Sequence, residues 1–215
     1  MAALFVTSCG TGRGKTYVSE RMIRAWRADG DAVRALKPVI SGYDPSDAAT
    51  SDTGLLLSAI GEKLSPEAID RMSPWRYAAP LSPDMAAALE DRTVPVDDII
   101  SYCRSAIESA TARGEHLLIE GAGGVMVPLD ETRTMRDLMV ALEIPVVLVV
   151  GSYLGSLSHA MTALEALHVR QIVVDRIVVN ETADSNIPLT ETRDTLARFV
   201  GDIPMETLSF NPPAP

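Results

Sequence analysis

Short apolar runs recur along the chain: "LFVTS" at 4–8, "VRALKPVI" at 33–40, "HLLIE" at 116–120, "PVVLVVG" at 145–151 and "RIVVN" at 176–180. Consecutive apolar positions over so short a span predict strands buried on both faces. Between these runs the apolar positions move to helical spacing. Val18, Met22, Ile23, Ala25 and Trp26 fall on one side of a helix over 17–29. Ile99, Ile100, Cys103, Ile107 and Ala110 do the same over 97–113, which stops at Gly114, and Leu157, Met161, Leu164 and Leu167 over 156–168. Strands alternating with helices predict an α/β fold, a mainly parallel sheet covered by helices on both faces.

In such sheets ligands collect at the carboxyl ends of the strands, and each run here is followed there by suggestive residues. After the first come "SCGTGRGKT"; after the second, Lys37 and "SGYDPSDAATSD"; after the third, "EGAGG"; after the fourth, "GSYLGSLSHA"; after the fifth, Asn180 and Glu181. The Asp-, Ser- and Pro-rich stretch 43–53 and the proline-rich stretch 73–83 read as ordered loops over this edge. The proline-rich end, 209–215, is expected to fray.

The segment after the first strand carries the clearest chemistry. Gly10, Gly12 and Gly14 let a loop turn its N–H groups inward on an anion, and the helix that follows presents further unpaired N–H groups and the positive end of its dipole. Lys15 adds a compact positive charge and Thr16 a hydroxyl for Mg²⁺, the logic of the phosphate-binding loop. Cys9 stands where the strict pattern has glycine. Strand, glycine loop, Gly-Lys-Thr and helix in this order predict a single domain over 1–215, a three-layer sandwich of the P-loop NTPase type.

Further candidates fall on the same edge. Only three lysines occur against sixteen arginines, and Lys37 follows a buried strand, placed to meet phosphate or developing negative charge. Glu120 ends an apolar strand and runs into Gly121, Ala122, Gly123 and Gly124, resembling the acidic residue that holds Mg²⁺ in nucleotide hydrolases. Asp52 is a second metal carboxylate or simply the N-cap of the helical run behind it, with Asp47 in a similar setting. The helix start at Gly155, Ser156, Leu157 and Ser158 offers N–H groups to a carboxylate, or is capped by Ser156. His159, alone one turn inside, is given no chemistry. Without a Cys/His cluster of ligand spacing, zinc is not expected.

A net charge of −10 over 215 residues, with pI near 4.7, argues against binding nucleic acid or an anionic membrane through a basic surface. Two cysteines, Cys9 and Cys103, suit a reducing compartment, with Cys9 read as a small loop-filling residue rather than a redox switch. No leader or membrane span is read, and a cytoplasmic protein is expected.

The ordered set "GTGRGKT", "KPVISG", "AAPLSP", "IEGAGG", "PVVLVVGSYLGSLSHA" and "VVN", over residues 4 to 181, resembles the dethiobiotin synthetase family. That resemblance implies a homodimer with its substrate site at the interface, using MgATP, CO₂ and 7,8-diaminononanoate. One amine takes up CO₂ as a carbamate, ATP phosphorylates it to a mixed anhydride, and the other amine closes the ureido ring. By motif, Thr11, Lys15 and Lys37 would serve catalysis. Gly12, Arg13, Gly14, Lys15, Thr16, Tyr17, Glu120, Gly121, Ala122 and Gly123 would hold the nucleotide, with Asn180 and Pro204 near its adenine. Thr16, Asp52 and Glu120 would hold Mg²⁺. Ser41 would touch the substrate, and Gly155 to Ser158 would meet its carboxylate across the dimer. Loss of either Lys15 or Lys37 is expected to stop turnover and leave the fold intact.

The chain departs from the family pattern at Ser8 and Cys9, in place of Gly-Thr, and at Ser158, where members often carry Asn. Ser8 lacks glycine's tolerance for positive φ, so an altered start to the loop is expected. Rival implications are a cobalamin-type amide ligase and a ParA-like or metal-delivery ATPase switch. The first usually carries a glutamine-hydrolysing domain for which 215 residues leave no room; the second typically has an early loop lysine where Gly10 stands.

Overall fold

The computed structural model describes residues 2–182 and 185–210. Six strands form the main sheet: β1 (Ala3–Ser8), β2 (Val33–Leu36), β5 (His116–Glu120), β6 (Val146–Gly151), β7 (Val174–Asn180) and β8 (Met205–Leu208). Their order is β2-β5-β1-β6-β7-β8 and every neighbouring pair is parallel. Two short strands, β3 (Val39–Ser41) and β4 (Trp75–Tyr77), make a separate parallel pair.

Strand alternation explains the layers. Leu4 and Val6 of β1, Leu118 of β5, and Val147 and Val149 of β6 share one buried cluster with residues of α1 (Lys15–Ala28), α2 (Asp52–Ile60) and α3 (Pro66–Met72). The intervening residues Phe5, Leu117, Ile119, Leu148 and Val150 point to the other cluster. There they meet α4 (Pro83–Ala88), α5 (Val96–Arg113), α6 (Met135–Leu142), α7 (Ser156–His168) and α8 (Leu189–Ala197). Both faces of the sheet are thus dry, which is why the strands read as unbroken apolar runs. Each fully buried Leu, Val, Ile or Phe contributes roughly 2 kcal/mol by leaving water.

The run 33–40, expected as one strand, is two. Pro38 has no N–H for a ladder, and the Lys37 N–H turns to Met72 O at 2.9 Å instead of to β5. The chain leaves the main sheet there and pairs as β3 with β4, which in turn places a strand inside the stretch 73–83 expected as loop. The short edge strand β8 carries only Met205 and Leu208 as apolar residues and has no sequence signal of its own. At its end the Tyr17 hydroxyl donates to Ser209 O at 3.3 Å, and the Phe210 N–H to Glu181 Oε2 at 3.0 Å. Of the end expected to fray, 211–215 lie outside the described residues. Among the described residues no helix is long and apolar enough to cross a membrane.

Candidate nucleotide site

The loop between β1 and α1 takes its shape from Gly12 and Gly14, at φ 72° and 86°. At Gly14 a Cβ would also stand 2.2 Å from Asn180 Nδ2, so glycine is required there on both counts. Ser8 needs no such freedom because it is the last residue of β1. Its hydroxyl donates to Gly10 O at 2.6 Å and accepts from Lys15 Nζ at 3.2 Å.

Both cysteines are free thiols. Burial pushes Cys9 up to about 12, against the lowering pull of Arg13. Near neutral pH Cys9 is held as the thiol rather than the thiolate, the reactive form. Iodoacetamide is therefore expected to label Cys9 in the folded protein more slowly than in urea, as read by peptide mass spectrometry; equal rates would contradict the half-buried, desolvated placement of the thiol.

The carboxyl ends of β2, β5 and β1 bring the charges together. Lys37 Nζ donates to Glu120 Oε1 at 2.7 Å and to Gly121 O at 3.0 Å, and pairs with Asp52 Oδ2 at 2.9 Å. Lys37 is 2% exposed and Glu120 0%. Burial alone would pull the Lys37 pKa down, but the charges of Glu120 and Asp52 outweigh it and raise it. Burial likewise works against the Asp52 carboxylate, yet Lys37 beside it holds the carboxyl below its ordinary value.

Asp52 is available because it is not the N-cap. Ser51 caps α2 by accepting the Gly54 N–H at 3.2 Å, leaving the Asp52 side chain to the site. Asp47 ends a short 3-10 turn, exposed and outside the cavity described below.

Thr16 Oγ1 lies 2.7 Å from Asp52 Oδ1 and 2.8 Å from Glu120 Oε1. One hydroxyl hydrogen serves only one of two carboxylates, so one of these close oxygen pairs lacks a proton between them. Glu120 Oε2 is buried with no hydrogen-bond partner among the described residues. Two carboxylates and a hydroxyl converging with spare lone pairs form the hard, oxygen-only donor set that Mg²⁺ takes beside phosphate.

Lys15 is different from Lys37. It is 7% exposed, and among the described residues its ammonium has one hydrogen bond, to the Ser8 hydroxyl, and no salt bridge. Burial first and the positive charge of Lys37 second bring its pKa down to about 8. A buried ammonium facing only a neutral oxygen is a site waiting for an anion.

These groups border a cavity of about 780 Å³. Thr11, Gly12, Gly14, Lys15, Thr16 and Tyr17 line one side; Lys37, Ser41 and Asp52 another; Ala122, Gly123 and Asn180 a third. Arg13, Glu120 and Gly121 stand behind the lining: Arg13 O accepts from Asn180 Nδ2 at 3.2 Å, and the other two reach the cavity through Lys37. Pro204 is not brought here. Because β8 runs parallel to β7 with Asn180 opposite Leu208, Pro204 sits at the far end, its carbonyl accepting from the Ile177 N–H at 2.9 Å.

The α7 start, Gly155 to Ser158, does not line this cavity either. Gly155 is its N-cap at φ 98°, while Ser156, considered above as the cap, is the first helical residue with its Oγ unpartnered. Lining residues beyond the predicted site set are Ile40, Pro80 to Pro83, Val127, Thr182 and Phe210, with Glu181, noted above only as following the fifth run. "AAPLSP" was visible as a motif, but it contributes shape rather than an ionisable group; Phe210 had no signal in a proline-rich end.

A protein-family model described as an AAA domain matches residues 2–212. Among solved structures, chloroplast FtsY of Physcomitrella patens aligns with TM-score 0.56 at 15% identity, over 95% of this chain but only 57% of that one. The septum site-determining protein MinD of Pyrococcus horikoshii, complexed with Mg-ADP, aligns with TM-score 0.54 at 16% identity, over 98% of this chain and 82% of that one. Such likeness is one of fold. Together with the glycine loop and its buried lysine, it defines the class: a P-loop nucleotide-binding α/β protein.

The curated relatives are narrower. The ATP-dependent dethiobiotin synthetase BioD of Acidiphilium cryptum is 47% identical over 95% of this chain and 91% of its own length. That of Anaeromyxobacter sp. (strain Fw109-5) is 36% identical over 97% and 90%. The chain belongs to the ATP-dependent dethiobiotin synthetase family.

Proposed function

We propose that the protein makes dethiobiotin from 7,8-diaminononanoate, CO₂ and MgATP. The observation that carries this reading is Lys15, a buried ammonium with only a hydroxyl for a partner, at the head of a glycine loop and a helix. Its charge and the loop N–H groups suit the phosphates of ATP.

The chemistry needs no protein nucleophile. One substrate amine forms an N–C bond to CO₂ and loses a proton, giving a carbamate. A carbamate oxygen takes the γ-phosphoryl group and ADP leaves. The second amine attacks the carbamoyl carbon, and the ring closes as phosphate departs with the C–O electron pair.

Lys37, fixed by Glu120, Asp52 and Gly121, holds positive charge next to the cavity where the carbamate and γ-phosphate carry negative charge. The Ser41 hydroxyl borders the cavity and has no partner among the described residues, which suits contact with an amine or carbamate. Among the described residues Asn180 has its Oδ1 unpartnered in the same cavity, which suits the adenine amino group. Thr11 lines the cavity beside the phosphates. Mg²⁺, held by Thr16, Asp52 and Glu120, would offset phosphate charge.

We place the substrate carboxylate on the α7 start of a second copy in a homodimer. Support comes from Gly155 to Ser158 lying outside their own subunit's cavity, with Leu154 84% exposed beside them. We take the enzyme to act in the cytoplasm without nucleic acid. In the deciding assay, ADP release is expected to require both 7,8-diaminononanoate and bicarbonate and to yield dethiobiotin by mass. Turnover stimulated by DNA or a protein partner, indifferent to the diamine, would overturn the reading in favour of an ATPase switch.

A further inference from the structure

Arg13 is the one side-chain-bearing residue between the two left-handed glycines of the loop, and its side chain turns away from the cavity. Its guanidinium lies over the Tyr153 ring, 4.3 Å from the centroid, and its Nε donates to Thr11 O at 3.2 Å. Tyr153 follows β6, and its hydroxyl is 2.8 Å from His159 Nδ1 on the first turns of α7. The two rings are tilted at 48° with centroids 5.8 Å apart.

The packing under this stack is close. A Cβ on Gly151 would stand 2.7 Å from Tyr153 Cε1 and 3.4 Å from Arg13 Cδ, so the end of β6 is kept bare for the two side chains. The backbone of Arg13 is held from the opposite side by Asn180 at the end of β7. The loop is therefore pinned at one residue by β7 through the main chain and by α7 through a side-chain stack.

We infer that Tyr153 is a positioning residue for the nucleotide: it fixes the phosphate loop through Arg13 and is itself held by His159. This rests on the reading of the loop as a triphosphate site. Gly12 and Gly14 give the loop many accessible conformations, and pinning Arg13 removes most of them before the ligand arrives, which lowers the entropy lost on binding. A cation over an aromatic face contributes enough for this, the more so where it is shielded from water.

The test is calorimetric titration with a non-hydrolysable ATP analogue and Mg²⁺, paired with steady-state kinetics. Tyr153→Leu is expected to weaken analogue binding about tenfold and raise KM for ATP to match, with kcat and KM for the diamine within about twofold of the parent. Tyr153→Phe keeps the ring under the guanidinium and is expected to restore binding to within about threefold. Arg13→Met should lose at least as much as Tyr153→Leu, and the double variant no more than Arg13→Met alone, the mark of one shared interaction.

Tyr153→Leu that binds the analogue as tightly as the parent would overturn the inference. So would fully additive losses in the double variant, or a fall in kcat with KM for ATP unchanged. If the parent itself gave no heat with the analogue, the nucleotide reading would fall and this inference with it; parental binding with unresponsive variants sinks only the inference.

Discussion

Lys15→Ala is expected to cut ATP-dependent turnover about a thousandfold while leaving the melting temperature within a few degrees of the parent. The loss of rate follows from removing an ammonium at the loop that, among the described residues, has no carboxylate partner, the group we propose faces the charge that develops during phosphoryl transfer. The small effect on stability follows from opposed terms. Removing the lysine deletes a packed stem, but it also relieves the burial of a charge already strained enough to bring its pKa down to about 8. ADP release and circular dichroism melting check the two halves separately. Turnover at the parental rate would remove Lys15 from the phosphate site.

Lys37→Ala is expected to be inactive as well, and for this residue the structure sets a stability cost beside the sequence-based expectation of an intact fold. Its ammonium is the counter-charge of Glu120, which is 0% exposed, and of Asp52. Deleting one partner of a buried pair leaves an uncompensated carboxylate, at a cost of about 3–5 kcal/mol. For a chain of this size that is a fall of about 10 °C in melting temperature. Lys37→Met combined with Glu120→Gln removes both charges and should recover most of the lost stability with no recovery of turnover. A Lys37→Ala protein as stable as the parent would show that the pair does not hold the sheet ends together.

The contrast between the two lysines was not legible in the chain. Both follow strands and both suit phosphate, and nothing nearby in sequence says that Lys37 is saturated by groups 83 and 84 residues further on, at Glu120 and Gly121. The central strands and the long helices were legible because burial on both sheet faces leaves continuous apolar runs and 3.6-residue spacing. The 33–40 run misled because a proline inside an apolar stretch changes the pairing partner without changing the pattern. Edge strand β8 was lost for the opposite reason, since a half-exposed strand has few apolar residues to show.

At the site, the loop, Glu120 and Asn180 were placed by strand ends alone. Asp52 could not be separated from Asp47 until Ser51 was seen to cap α2. Pro204 was assigned to the nucleotide from a motif, but strand direction puts it at the wrong end of β8.

The groups of the site sit at or beyond the carboxyl ends of three adjacent strands whose chain positions are far apart: Thr16 and Glu120 meet across 104 residues, and Lys37 and Glu120 across 83. During synthesis Asp52 follows Lys37 soon after, but Lys37 has to wait for more than a third of the polypeptide to leave the ribosome before its fully buried counter-ion Glu120 exists. Until then β2 has no β5 to pair with, and its lysine stays hydrated. The candidate site and the middle of the sheet must then be completed in the same late event, a slow step by the rule that distant pairings fold slowly. Truncated chains ending before residue 120 would carry the loop but could assemble neither.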